Sequence, residues 1–159
     1  MAGGEDRVST KPKTAAKRPR KTGPGYVLDT QVGFLLRQVN QRHTALFSAG
    51  IGEELTPTQW AALAKLHEKG PCSQNLLGRH TAMDAATIKG VVDRMVKRGL
   101  VETRPDPEDG RRLVAALTAQ GSALAERLGP AALAISQETL APLDADEQAL
   151  FVSLLERLR

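Results

Sequence analysis

"RPDPEDGRR", residues 104–112, sets three acidic side chains (Asp106, Glu108 and Asp109) among three arginines around a single glycine. On either side the sequence turns apolar, with "LVETR" from Leu100 and "RLVAAL" ending at Leu117. Two short β-rich runs around a Pro-, Asp- and Gly-bearing centre read as a hairpin with the quoted stretch as its loop. A loop this crowded with both signs of charge raises one question. Acids beside arginines either hold those arginines in place for a polyanion or simply neutralise them in a salt-bridged turn.

Working backward from the loop, "DAATIKGVVDRMVKRG", residues 84–99, is predicted to be a helix capped by Asp84 and closed by Gly99. Ala85, Ile88, Val91, Val92 and Met95 fall on one side, and Ala86, Thr87, Lys89, Gly90, Arg94 and Lys97 around the other. Before it, Ser73 caps a short helix, "QNLLGRH", and "TAM" makes the turn between the two. In "TPTQW" Thr56 caps a helix, Pro57 takes its first position and Gln59 completes a capping box. Its stripe is Trp60, Leu63, Ala64 and His67, and Gly70-Pro71 stops it. The first helix carries Val32, Leu35, Leu36, Val39, His43, Leu46 and Phe47 on one stripe and is expected to end at Gly50 and Gly52.

Beyond the hairpin, Thr118 caps a further helix, which is expected to kink or break at Gly129-Pro130. Asp144 caps the last one, whose apolar face is Leu150, Phe151, Leu154, Leu155 and Leu158. The order is four helices, a hairpin and two helices. A short helix, a tight turn, a second helix and a hairpin together make a winged helix-turn-helix, so the fold class is mainly α with a small β-hairpin wing.

At 159 residues the chain suits one domain. Its net charge of +4 is unevenly placed, because residues 1–25 hold Arg7, Lys11, Lys13, Lys17, Arg18, Arg20 and Lys21 against only Glu5 and Asp6. The remainder is therefore slightly acidic, and the basic character belongs to a Pro-, Lys- and Gly-rich tail that reads as disordered. That tail is either a solvated leader or an arm that grazes DNA. No apolar region follows it as in a secretory signal, and no run is long enough to span a bilayer, so a cytoplasmic protein without membrane attachment is expected. Cys72, the one cysteine, excludes an internal disulfide and suits a reducing compartment. No nucleophile–base set, phosphate loop or carboxylate pair stands out, so neither an enzyme nor a cofactor is expected. His67, Cys72, His80 and Asp84 match none of the strong zinc spacings, so no metal site is assigned.

"GLVETRPDPEDGRRLVAALTAQG", residues 99–121, resembles the wing and following helix start of the MarR family of bacterial transcription regulators. The match is a D-x-x-D-x-R pattern at Asp106, Asp109 and Arg111, followed by Leu117-Thr118 and Gly121. "VVDRMVKRGLV" is similar to the end of that family's recognition helix, and "LTPTQWAAL" and "LDADEQALFVSLLERL" to its second and last helices. The resemblance divides the chain into a tail, 1–25, and a domain, 26–159. Within the domain the winged helix spans about 53–117, and the dimerisation helices about 28–49 and 118–159.

The resemblance implies a ligand-responsive repressor that binds a palindromic operator in double-stranded DNA as a homodimer. The DNA contacts it implies are Ser73, Thr87, Lys89, Arg94 and Lys97, with Arg111 and Arg112 on the wing. Asp109 would orient Arg111 and Asp106 would brace the hairpin, so that pre-aligned guanidinium enters a narrow minor groove. Gly110 departs from the family pattern, which leaves either Arg111 or Arg112 as the inserted residue. Gly90 stands where relatives often carry a larger, frequently basic residue, which shifts readout toward Lys89.

Dimerisation would use Leu150, Phe151, Leu154, Leu155 and Leu158, unless that face packs within the chain. The implied effector is a small aromatic or phenolic carboxylate, with Arg42, His43, Trp60 and His67 as candidate contacts. His43 could equally be a satisfied interface histidine and Trp60 plain core. Cys72, beside a helix start, is either a reactive thiol or ordinary packing. A different class of function is a winged protein-interaction module with non-specific nucleic-acid contact. The charged Thr87–Lys97 face argues against an apolar partner there.

Overall fold

The computed structural model describes residues 25–52, 55–106, 109 and 112–159. The expected basic tail lies outside them except for Gly25, as do Glu108, Gly110 and Arg111 of the wing. A 3-10 turn, Leu28–Thr30, leads into α1 (Val32–Ile51) and α2 (Pro57–Lys69). Then come β1 (Cys72–Ser73), α3 (Gln74–His80), α4 (Ala85–Lys97), β2 (Val101–Pro105) and β3 (Leu113–Leu117), with α5 (Ala119–Leu140) and α6 (Ala145–Arg157) closing the chain.

Side-chain caps set the helix starts. Thr56 Oγ1 accepts from the Gln59 N–H at 3.3 Å while Gln59 Oε1 accepts from the Thr56 N–H at 3.0 Å, with Pro57 supplying a fixed φ. Asp144 and Glu147 repeat the reciprocal pair on α6 at 2.9 and 3.0 Å. Ser73, Asp84 and Thr118 cap α3, α4 and α5 from one side.

β1, β3 and β2 form an antiparallel sheet in that order, with Cys72 opposite Ala115 and Val101 opposite Leu117. The third strand was not foreseen, since two residues carry no periodicity. α4 closes the core from above the sheet: Ile88, Val91, Val92 and Met95 are buried at helical spacing against Leu63, Leu77 and Val101. Ala85, expected among them, is exposed, because the first turn of α4 projects beyond the core. Gly78 lets α3 approach α4 closely, as a Cβ there would stand 3.0 Å from the Met83 carbonyl oxygen and 3.2 Å from Ile88. In the intervening turn Ala82 takes a φ of 52°, a left-handed conformation that costs an L-residue roughly 1–2 kcal/mol.

Two helix-breaking expectations are met only in part: Gly52 but not Gly50 ends α1, and α5 has no break at Gly129-Pro130. α1 runs through Gly50 to Ile51, and only Gly52, at a φ of 70°, terminates it. Gly50 is there for packing: a Cβ on it would sit 2.9 Å from the Ile135 side chain, where α5 crosses. α5 likewise continues through Gly129-Pro130. Proline removes one rung of the hydrogen-bond ladder, but turns on both sides are held by buried Leu128 and Ile135.

The start of α5 is fastened to the end of α4. Thr118 donates its hydroxyl to the Gly99 carbonyl at 2.6 Å and its N–H to the Leu100 carbonyl at 3.1 Å. Gly121 permits this, since any Cβ there would run into the Leu100 carbonyl oxygen. α6 is fastened more lightly: Gln148 Nε2 donates to the Leu140 and Leu143 carbonyls at 3.2 and 2.9 Å, and α6 buries none of its residues. No helix among the described residues is long and apolar enough to cross a membrane.

Gly121→Ala is expected to lower stability by about 1–3 kcal/mol, the usual cost of forcing an extra carbon into a packed site. Thermal unfolding checks this, and an unchanged midpoint would show that the Leu100 turn can give way.

Candidate functional site

The face of α4 turned away from the core carries Thr87, Lys89, Gly90, Asp93, Arg94 and Lys97, but these side chains are not equally available. Asp84 accepts both the Thr87 N–H, at 2.8 Å, and the Thr87 hydroxyl, at 2.7 Å. The backbone bond and then the hydroxyl bond hold the Asp84 carboxyl below the usual carboxylate range, so the Thr87 hydroxyl already serves the cap. Lys89 is likewise engaged, its Nζ 2.7 Å from Asp93 Oδ2 across one turn. Arg94 and Lys97 are exposed, and neither has an ion pair with a described residue. Four cationic or hydroxyl groups thus reduce to two open cations.

At the wing, Arg112 Nε lies 3.1 Å from Asp109 Oδ2. The turn is also closed through the backbone: the Arg112 N–H donates to the Asp109 carbonyl at 2.8 Å, and the Asp106 N–H to the Arg112 carbonyl at 2.9 Å. Asp106 therefore braces the hairpin through its backbone, and the described partner of Asp109 is Arg112. Its expected action on Arg111 lies outside the described residues. So exposed an ion pair contributes at most about 1 kcal/mol to stability, but it fixes the direction of a guanidinium.

Between the wing and α3 lies a polar groove of about 410 Å³, lined by Ser73, Gln74, Asn75, Arg79, Arg112 and Leu113. Ser73 Oγ accepts from the Leu76 N–H as the α3 cap, at 3.3 Å. Gln74, Asn75 and Arg79 escaped the sequence reading. Their signal was there: polar side chains in the first turns of the leading helix of a helix-turn-helix, just after its cap.

A second cavity, of about 240 Å³, opens where α1, α2 and α5 meet. His43, Phe47, Trp60, Ala132, Ile135 and Ser136 line it. His43 Nδ1 lies 2.9 Å from Thr139 Oγ1, and the Thr139 hydroxyl donates to the Ile135 carbonyl at 2.8 Å. That hydroxyl has one proton, already given away, so Nδ1 must be the donor and Nε2 is the nitrogen left for another partner. Of the four candidate effector contacts, the structure brings His43 and Trp60 together. His67 is exposed further along α2 and does not line the cavity. Arg42 is turned to α5, where its Nη2 donates to the Glu138 carbonyl at 3.0 Å in the last turn of the helix. Trp60 is half-buried, packing on the core with one edge on the cavity.

The last-helix residues Leu150, Leu154, Leu155 and Leu158 are exposed, Leu158 at 76%, and Phe151 is half-buried. Val32, Leu35, Leu36 and Val39 of α1 are exposed too. Among the described residues no His, Cys, Asp or Glu cluster is arranged to hold a metal.

Comparison with known proteins gives these features a context. The sequence model of the MarR family matches residues 55–113. The HTH-type transcriptional repressor NicR of Pseudomonas putida is 39% identical over 150 residues, covering 94% of either chain. A probable transcriptional regulator from Pseudomonas aeruginosa superposes with a TM-score of 0.81 at 58% identity, over 84% of this chain and all of that one. Bordetella bronchiseptica BpsR, whose structure is described as the mechanism for regulation of DNA binding by 6-hydroxynicotinic acid, gives a TM-score of 0.81 at 38% identity. That match covers 84% of this chain and 96% of the other.

Cys72 sits on β1, half-buried, and burial raises its thiol above the ordinary value. A raised thiol carries less thiolate at any given pH, the opposite of what an oxidant sensor needs. Alkylation by iodoacetamide near pH 7 should therefore be slower than for free cysteine. A faster rate would return Cys72 to the list of reactive thiols.

Proposed function

The chain belongs to the MarR family of transcriptional regulators, and from that premise we propose that it is a homodimeric repressor released from its operator by a small aromatic carboxylic acid. The observation that carries this reading is the placing of two sites on one short frame. α4, the α3–wing groove and Arg112 make a cationic DNA-facing side, while the cavity beside His43 lies at the junction of α2 with α1 and α5.

On the DNA side, Arg112 enters the minor groove with its direction preset by Asp109, and Ser73, Gln74, Asn75 and Arg79 take the phosphate backbone. The two copies join through α1 and α6. The exposed leucines of α6 have no cover among the described residues, and a two-fold partner supplies the same face in return. Two recognition helices then address half-sites about one helical turn apart.

On the effector side, about 240 Å³ is below the roughly 300–1,000 Å³ of pockets for drug-sized ligands, which suits a single ring. The ring lies against Trp60 and Phe47, and a polar group of the acid meets His43 Nε2. BpsR, matched over most of its length, is tied by its own description to a hydroxylated pyridine carboxylic acid, an acid of this class. A ligand seated between α1, α2 and α5 favours one spacing of the recognition helices over another, and only that differential affinity moves the equilibrium.

Fluorescence anisotropy on duplexes from upstream of its own gene, with and without a panel of aromatic acids, tests the reading. One acid should abolish the preference for those duplexes over scrambled DNA. Equal, steeply salt-dependent binding to both would leave only charge at work. Arg112→Ala should weaken specific binding by about 1–3 kcal/mol, and undiminished affinity would remove Arg112 from the groove. His43→Ala should abolish release by the acid while sparing DNA affinity; equal loss of both would make His43 structural. For the dimer, Leu154→Asp with Leu158→Asp should halve the mass measured by light scattering, and an unchanged mass would place the interface elsewhere.

A further inference from the structure

α4 contains a glycine that its own fold does not explain. Glycine is the least favourable helix-interior residue after proline, and Gly90 sits mid-helix in "TIKGVVD". Its φ is not positive, so no turn requires it. No neighbouring element requires it either, in contrast to Gly50, Gly78 and Gly121, which face Ile135, Met83 with Ile88, and Leu100. Beyond the surrounding helix backbone, the three atoms nearest a Cβ built on Gly90 all belong to the Arg94 guanidinium, with Nη1 at 3.3 Å, Nη2 at 3.9 Å and Cζ at 4.0 Å.

Arg94 thus lies back along its own helix over the space that a side chain at residue 90 would fill. Long side chains on helices lean toward the N-terminus in this way. The lean matters here because Arg94 is near the C-terminal end of α4, whereas base edges are met by the first turns of a recognition helix. Lying across Gly90 carries the guanidinium fork one turn nearer those bases. The neighbouring carboxylate, Asp93, is occupied by Lys89 at 2.7 Å, and the fork has no ion pair with a described residue. Fully charged, planar and with two parallel N–H donors, the fork matches the O6 and N7 acceptors of guanine in the major groove.

We propose that Arg94 is the guanine-reading residue of α4 and that Gly90 is the seat that aims it. The proposal rests on the reading of α4 as the helix that enters operator DNA. It also assigns Lys89 and Asp93 a different duty, in which the lysine neutralises the acid next to the arginine in sequence.

Selection of bound duplexes from a randomised pool tests both levels separately. The wild type should enrich a two-fold motif. Arg94→Ala should lose a G·C pair at symmetric positions while keeping the rest, and Arg94→Lys should lose it too, since an ammonium cannot replace the fork. Gly90→Ala should weaken the preference for that pair several-fold and raise the melting temperature, and in the Arg94→Ala background it should change the motif no further. A wild type that enriches no motif would overturn the operator-binding reading together with this one. A motif unchanged by Arg94→Ala, or retained by Arg94→Lys as a mere phosphate contact would be, overturns the inference alone. Additive effects of Gly90→Ala and Arg94→Ala would overturn the seat.

Discussion

The architecture depends on one close approach, that of the α5 backbone to the turn that ends α4. Thr118 spends its hydroxyl and its N–H on the Gly99 and Leu100 carbonyls, and Gly121 gives the room. The bonds are ordinary in strength; their position is what counts. Leu117 ends the wing strand, Thr118 begins the long helix, and Leu100 ends the recognition-helix turn, so wing, recognition helix and α5 share one fixed point. A shift of α5 at its root therefore carries the wing and α4 with it. The far end of α5 is held as well, where Gly50 meets Ile135 and Arg42 and His43 bond to Glu138 and Thr139. α5 is tied to α4 and the wing at one end and to α1 at the other.

The elements that were legible in the sequence are those governed by local chemistry. The Thr56–Gln59 box and the Ser73, Asp84, Thr118 and Asp144 caps act over three residues, and each is where the sequence placed it. The hairpin and the Ile88–Met95 stripe were legible for the same reason. What failed depended on partners far along the chain. Gly50 looks like a stop because its reason, Ile135, is 85 positions away. Arg42 looks like a ligand contact because the Glu138 carbonyl is 96 positions away. His67 shares a helical face with Trp60, but a face does not say where along the helix a cavity ends.

Charge on the side formed by α4 and the wing follows a consistent pattern of internal occupation. Three of its acids are assigned: Asp84 to the cap, Asp93 to Lys89, Asp109 to Arg112. None of these exposed pairs adds much to stability. Their effect is on orientation, since a side chain already held in one direction loses less freedom on meeting a polyanion. The acids that seem out of place beside the arginines are thus compatible with, and useful to, a surface for a negatively charged partner.

Pro130 gives α5 a property that its continuity conceals. A proline has no N–H to offer the carbonyl four residues earlier, so the ladder lacks one rung at mid-helix. Before it lie the bonds to the turn that ends α4, and after it those to α1. The flexural stiffness of the rod is therefore lowest between its two anchorages, and strain applied at either end is absorbed first at that joint. A long helix built this way behaves less like a rigid strut than like two levers sharing a compliant pin.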